Sequence, residues 1–73
     1  MLMIQNDLIE IFHVGDRYSI ADVKRMLQTV YNKNEINKKA KSTDLALLGV
    51  KTKRSIITKE GRRSEGIRII GIN

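Results

Sequence analysis

The sequence predicts one α+β domain of 73 residues, three helices followed by a two-stranded β-hairpin. Three observations predict it. Apolar residues recur at helical spacing in the first 31 positions, at Ile4, Leu8, Ile11 and Phe12 and again at Val23, Met26, Leu27, Val30 and Tyr31. A Ser-Thr-Asp start followed by leucines and Gly49 marks a third, short helix. Beyond it the period changes to β-branched runs parted by a basic, glycine-containing stretch.

The first helix is expected over residues 2–12, with Asp7 and Glu10 off the apolar stripe and Gly15-Asp16 as the following turn. The second is expected over residues 20–31. Ser19 with Asp22 three residues later resembles a capping box, and Tyr18 precedes the cap in position to staple onto Val23. Residues 32–41 are polar and asparagine-rich, a turn with room for one helical turn inside. Ser42 or Thr43 then caps the third helix, Asp44 stands in its first turn on the wet side with Ala46, and Leu45, Leu47 and Leu48 form its apolar side before the Gly49 cap.

Residues 53–58 and 67–72 read as the two hairpin strands, joined by a basic loop over residues 59–66. On a regular strand Ile67 and Ile69 would face away from Ile70 and Ile72, which predicts a β-bulge near Gly71. An isolated hairpin is marginal in water, so this one has to pack on the helices.

Charge is divided along the chain. Residues 1–32 hold three bases against four acids; residues 33–73 hold eleven against four, a net +7. A basic half on a near-neutral half is the footprint of a polyanion partner, or else a solvated surface. The absence of cysteine excludes a disulfide framework and zinc fingers. The opening Met1-Leu2-Met3-Ile4 has no basic flank and is soon interrupted by Asp7 and Glu10, so neither a signal peptide nor a membrane span is expected; the expected setting is soluble and cytoplasmic.

Helix, helix, short helix and basic-tipped hairpin resemble the small winged helix-turn-helix, three helices followed by a two-stranded β-hairpin wing. The resemblance runs from Leu2 to Ile72 and is carried by Tyr18-Ser19, by Lys41-Ser42-Thr43-Asp44-Leu45, and by the wing at residues 59–66. It rests on the order of elements rather than on a motif. Residues 15–49 also resemble winged-helix modules attached to replication primase-helicases of phages and mobile elements. The long glycine-free connection between the second and third helices departs from the pattern.

The resemblance implies that the third helix enters the major groove and that the wing follows the backbone or a minor groove. The expected partner is double-stranded DNA, in regulation or replication of a phage, plasmid or mobile element. Ser42 and Thr43 would offer hydroxyls and helix-terminal amides, or serve simply as caps. Lys38, Lys39 and Lys41 would neutralise phosphates, or solvate a loop. Arg62 and Arg63 at the wing tip suit phosphates or a narrow minor groove, their alternative being ordinary turn residues. Lys53, Arg54, Lys59 and Arg68 extend the basic surface, with edge protection as the other role for Lys53, Arg54 and Arg68.

Two further function classes remain open: a protein-interaction adaptor or homodimer using the first helix (Met1, Leu2, Met3 and Ile9) or the wing, and a structured-RNA binder. Three aromatics give no stacking platform for single strands. No enzyme is expected. His13 stands alone, no ligand-spaced cluster suggests a metal or cofactor, Gly61 and Gly66 lack a following GK[ST], and a chain this short has little room for a small-molecule pocket.

Overall fold

The computed structural model describes residues 4–72. Helix α1 (Ile4–Ile11) buries Ile4 and Leu8, and Phe12 follows at the same spacing into the core. Its end is closed by Tyr18. The Tyr18 ring meets Phe12 edge-on at 5.2 Å, and its hydroxyl accepts from the His13 amide (3.0 Å) and donates to the Ile11 carbonyl (3.4 Å). One aromatic thus packs the core and satisfies orphan groups at a helix C-terminus.

Strand β1 (Arg17–Ser19) was not expected. Its three residues pair antiparallel with Arg68, Ile67 and Gly66, so the hairpin is part of a three-stranded sheet ordered β1-β3-β2. The expected two-stranded arrangement is corrected accordingly. Three residues are too few to show an alternating pattern; the pairing is decided by the partner strand.

Helix α2 (Ile20–Lys33) begins where the sequence places it, with Ser19 Oγ accepting from the Asp22 amide at 3.1 Å, and ends two residues later than expected. It lies beside α1, held by Lys33 Nζ and Asn34 Nδ2, which meet the two oxygens of Asp7 at 2.8 and 2.9 Å. These donors, Asn34 first and Lys33 second, hold the Asp7 carboxyl below its ordinary pKa against a smaller push upward from burial. The following segment contains no helical turn. It is laid along α2 by Gln28, whose side chain donates to the Lys38 carbonyl and accepts from the Ala40 amide, both at 3.0 Å.

Helix α3 (Asp44–Leu47) is a single turn, shorter than the nearly two turns expected. Its capping also differs. Thr43 makes no side-chain cap bond, and the Asp44 carboxylate instead accepts from the Lys41 amide at 3.1 Å. Asp44 is therefore buried (3% exposed) rather than wet, and Leu47 is 79% exposed rather than part of the apolar side. Gly49 follows with φ +85°, as a helix-terminating glycine does.

Strands β2 (Val50–Lys59) and β3 (Arg62–Ile72) are longer than the sequence suggests, and their connection is correspondingly tighter. Glu60 and Gly61, at φ +54° and +76°, form a two-residue turn whose left-handed pair matches strand twist. The expected eight-residue loop is thus two paired strands meeting at a corner. Near the other end Lys51 faces Gly71 and Thr52 faces Ile69, which leaves Ile70 as the extra residue of a bulge. Ile67, Ile69 and Ile72 thereby turn to the helices while Ile70 stays half exposed, as the expected bulge requires.

The helices cover one face of the sheet, where Val50 and Ile69 join Leu8, Phe12, Leu27 and Leu45 in the core. Strands β2 and β3, of ten and eleven residues, run past this cover and give the molecule its 41 × 22 × 18 Å outline.

Candidate nucleic-acid interface

Pairing fixes which way each hairpin cation points, because directly opposed residues share a face and neighbours alternate. The helix-side face carries Val50, Thr52, Arg54, Ile56 and Thr58 on β2; Arg63 pairs with Thr58 and joins that side. Lys51, Lys53 and Lys59 face outward. Arg62, opposite Lys59, and Arg68, opposite Lys53, join them. Arg17 pairs with Arg68 from the other edge, so Arg17, Arg68 and Lys53 form one row across all three strands.

The sequence-predicted residues therefore fall into three places. Arg62 and Arg63 are the first residues of β3 and stand on opposite faces, instead of together in a loop. Arg54 is ion-paired to Glu65 on the helix side. Lys53 and Lys59 are on the outer face. Lys38, Lys39 and Lys41 lie in the segment laid along α2, with Ser42 half buried and Thr43 exposed at the start of α3. Ser42 and Thr43 border a shallow cleft shared with Ile20, Ala46, Thr52 and Ile67.

Lys38 is partly spoken for. Its ammonium lies 3.6 Å from Asp44 Oδ1 and 5.9 Å from the centre of the Tyr31 ring. Asp44 is the local anchor, because Oδ2 also accepts from the Tyr31 hydroxyl at 2.9 Å. Burial raises the Asp44 pKa, but the Lys41 amide, the Tyr31 hydroxyl and Lys38 outweigh it and leave the carboxyl below its ordinary value. Burial first, and the neighbouring carboxylate second, push the Tyr31 phenol up to about 12. Lys39 and Lys41 are exposed and form no ion pair among the described residues.

Ion pairing is distributed unevenly. Among the described residues Arg25 pairs with Asp22 (2.9 Å), Lys33 with Asp7 (2.8 Å) and Lys38 with Asp44. Of the seven cations on β2 and β3 only Arg54 has an acidic partner among the described residues. Arg17 and Lys51, which sequence reasoning did not assign, belong to the same unneutralised surface. Their signal lay in strand parity, and parity becomes legible only once the partners are known.

Among the described residues no three His, Asp or Glu side chains come together as a metal cluster, and no helix is long and apolar enough to cross a membrane. Comparison with protein-family models, curated proteins and solved structures found no match.

Proposed function

We propose that this chain is a non-catalytic winged helix-turn-helix protein that binds duplex DNA in the cytoplasm, in regulation or replication of a phage, plasmid or other mobile element. The observation carrying the reading is the hairpin, on which six of seven cations lack an acidic partner among the described residues. In the rest of the fold Arg25, Lys33 and Lys38 each have an acidic partner. When such a surface neutralises phosphates, the cations condensed on the DNA are released, and that release drives association.

The grip is on phosphates rather than on base edges. One turn of α3 turns Ala46 and Leu47 outward, and neither side chain has a hydrogen-bonding group to read a groove. Lys39, Lys41 and the exposed Thr43 border this turn, and Lys59, Arg62 and Arg63 arm the hairpin tip. Loop and tip each offer unpaired cations to phosphates, with modest sequence preference.

Fluorescence anisotropy against a mixed-sequence duplex of about two turns, over a salt series, tests this reading. A log affinity that falls steeply with log salt, by about 0.9 per phosphate neutralised, together with preference over matching single strands, is the expected result. Absence of binding at low salt overturns it. A second reading, protein docking through α1, is favoured by Ile9, which is 53% exposed. Met1, Leu2 and Met3, the rest of that surface, lie outside the described residues. Self-association in sedimentation without DNA binding would support it.

A further inference from the structure

The outer face of the sheet bears charge that the loop beside the helices leaves unused. Arg17, Arg68 and Lys53 occupy directly paired positions on β1, β3 and β2. Such neighbours stand about 5 Å apart at Cβ, and like charges so placed repel one another. Protection of open sheet edges explains lysines and arginines on β1 and β2. It does not explain Arg68, which lies on the central strand. Among the described residues no acid forms an ion pair with Arg17, Arg68 or Lys53. Glu65 points to the helix side and is engaged by Arg54, and no other strand residue of the hairpin is acidic.

Arg68 is also held in place. Its Nε donates to the Gly15 carbonyl at 3.3 Å, which leaves the terminal guanidinium nitrogens for another acceptor. The row spans two interstrand spacings, about 10 Å. Lys51 lies at one end of the same face, and Lys59 and Arg62 at the other. Duplex DNA presents one negative charge per about 1.7 Å of its axis, and a backbone laid over the row removes the repulsion that the free protein bears.

We propose that the Arg17–Arg68–Lys53 row, continued by Lys59 and Arg62 on the same face, is a second phosphate-backbone site, which takes a duplex segment other than the one gripped by Lys39 and Lys41 on the helical side. The inference rests on the DNA-binding reading and adds to it that one chain joins two duplexes. Lys39 and Lys41 belong to the helical layer, on the opposite side of the sheet from the row. Duplex DNA has a persistence length of about 150 base pairs, so a short segment cannot wrap a body of this size to reach both sides.

The test is capture of a dye-labelled duplex by a second, immobilised duplex, with the full chain added at low salt. Wild type is expected to capture. R17Q/K53Q/R68Q is expected to lose at least about tenfold of the capture while still binding one duplex, with a salt slope less steep by no more than about 3. K24Q/R25Q, which removes charge from α2 and leaves the Lys33–Asp7 pair intact, is expected to capture as wild type does. R17K/K53R/R68K is expected to restore capture, and the melting temperature of the glutamine variant to equal or exceed that of wild type because repulsion has been relieved. Undiminished capture by R17Q/K53Q/R68Q, or wild-type binding of one duplex without capture of another, overturns this inference alone. Failure of wild type to bind any duplex overturns the functional reading as well.

Discussion

The Tyr31 hydroxyl donates a 2.9 Å hydrogen bond to Asp44 Oδ2, tying the last full turn of α2 to the single turn of α3 across thirteen residues of chain. The same oxygen accepts from the Lys41 amide, so one buried carboxylate organises the segment that carries Lys38, Lys39 and Lys41. Asp44→Ala leaves a phenol and an amide without their acceptor in a closed site. The expected loss is about 2–4 kcal/mol by urea unfolding, against about 1–2 kcal/mol for Tyr31→Phe. Equal stability of Asp44→Ala and wild type would contradict the anchoring role.

Stability should also fall at high pH. The Tyr31 phenol titrates near 12 when folded and near 10.0 when exposed, so the folded state holds the proton longer. Its contribution is intact below pH 10 and is lost as pH rises through 12. In Tyr31→Phe this alkaline limb disappears. At the acid end the carboxyls of Asp44 and Asp7 are depressed, so their contribution is present above the ordinary carboxylate pKa and is lost as pH falls through their lower folded values. Thermal melts across pH 2–12 read both limbs.

Two glycines of β3 should respond oppositely to a methyl group. A Cβ on Gly66 would run into the Tyr18 carbonyl and the Ile57 side chain, and the carbonyl cannot retreat without loosening β1 from the sheet. Gly66→Ala is expected to cost about 1–3 kcal/mol. Gly71 has open space around its Cβ direction, and Gly71→Ala should stay within about 0.5 kcal/mol of wild type. Chemical denaturation of both variants decides the matter, and equal effects would argue against the close approach of β1 to β3.

Binding should track ion pairing rather than nominal charge. Arg62→Ala with Arg63→Ala removes two unpaired cations from the tip and should flatten the slope of log affinity against log salt by about 1.8. Arg54→Ala removes a cation already committed to Glu65, so its slope should change by well under one. An Arg54 effect as large as that of one tip arginine would overturn this ranking.

The helices were legible because their signals are local. Ser19, Asp22 and the Val23-to-Tyr31 stripe specify α2 without help from the rest of the chain. The bulge was legible too, from the parity conflict among Ile67, Ile69, Ile70 and Ile72. Strand β1 was not, since Arg17–Ser19 acquires its conformation from Gly66–Arg68, nearly fifty positions away. Asp44 misled for a related reason. An aspartate in a first helical turn is normally wet, and only the arrival of Tyr31 and Lys41 makes burial tolerable. The basic character of the candidate surface was visible in the composition, but its division between two faces depended on register.

Ile70 also bears on how the length of this chain can vary. Without it, Ile69 would be followed directly by Gly71 and Ile72, a regular alternation that keeps Ile69 and Ile72 on the helix side and Gly71 outward. The ladder therefore does not need this residue, and a chain shortened by one here retains every apolar partner. What the surplus residue contributes is curvature, since a bulge bends its strand and tightens the local twist. Its deletion should preserve the fold while altering the angle at which the hairpin leaves the helical body.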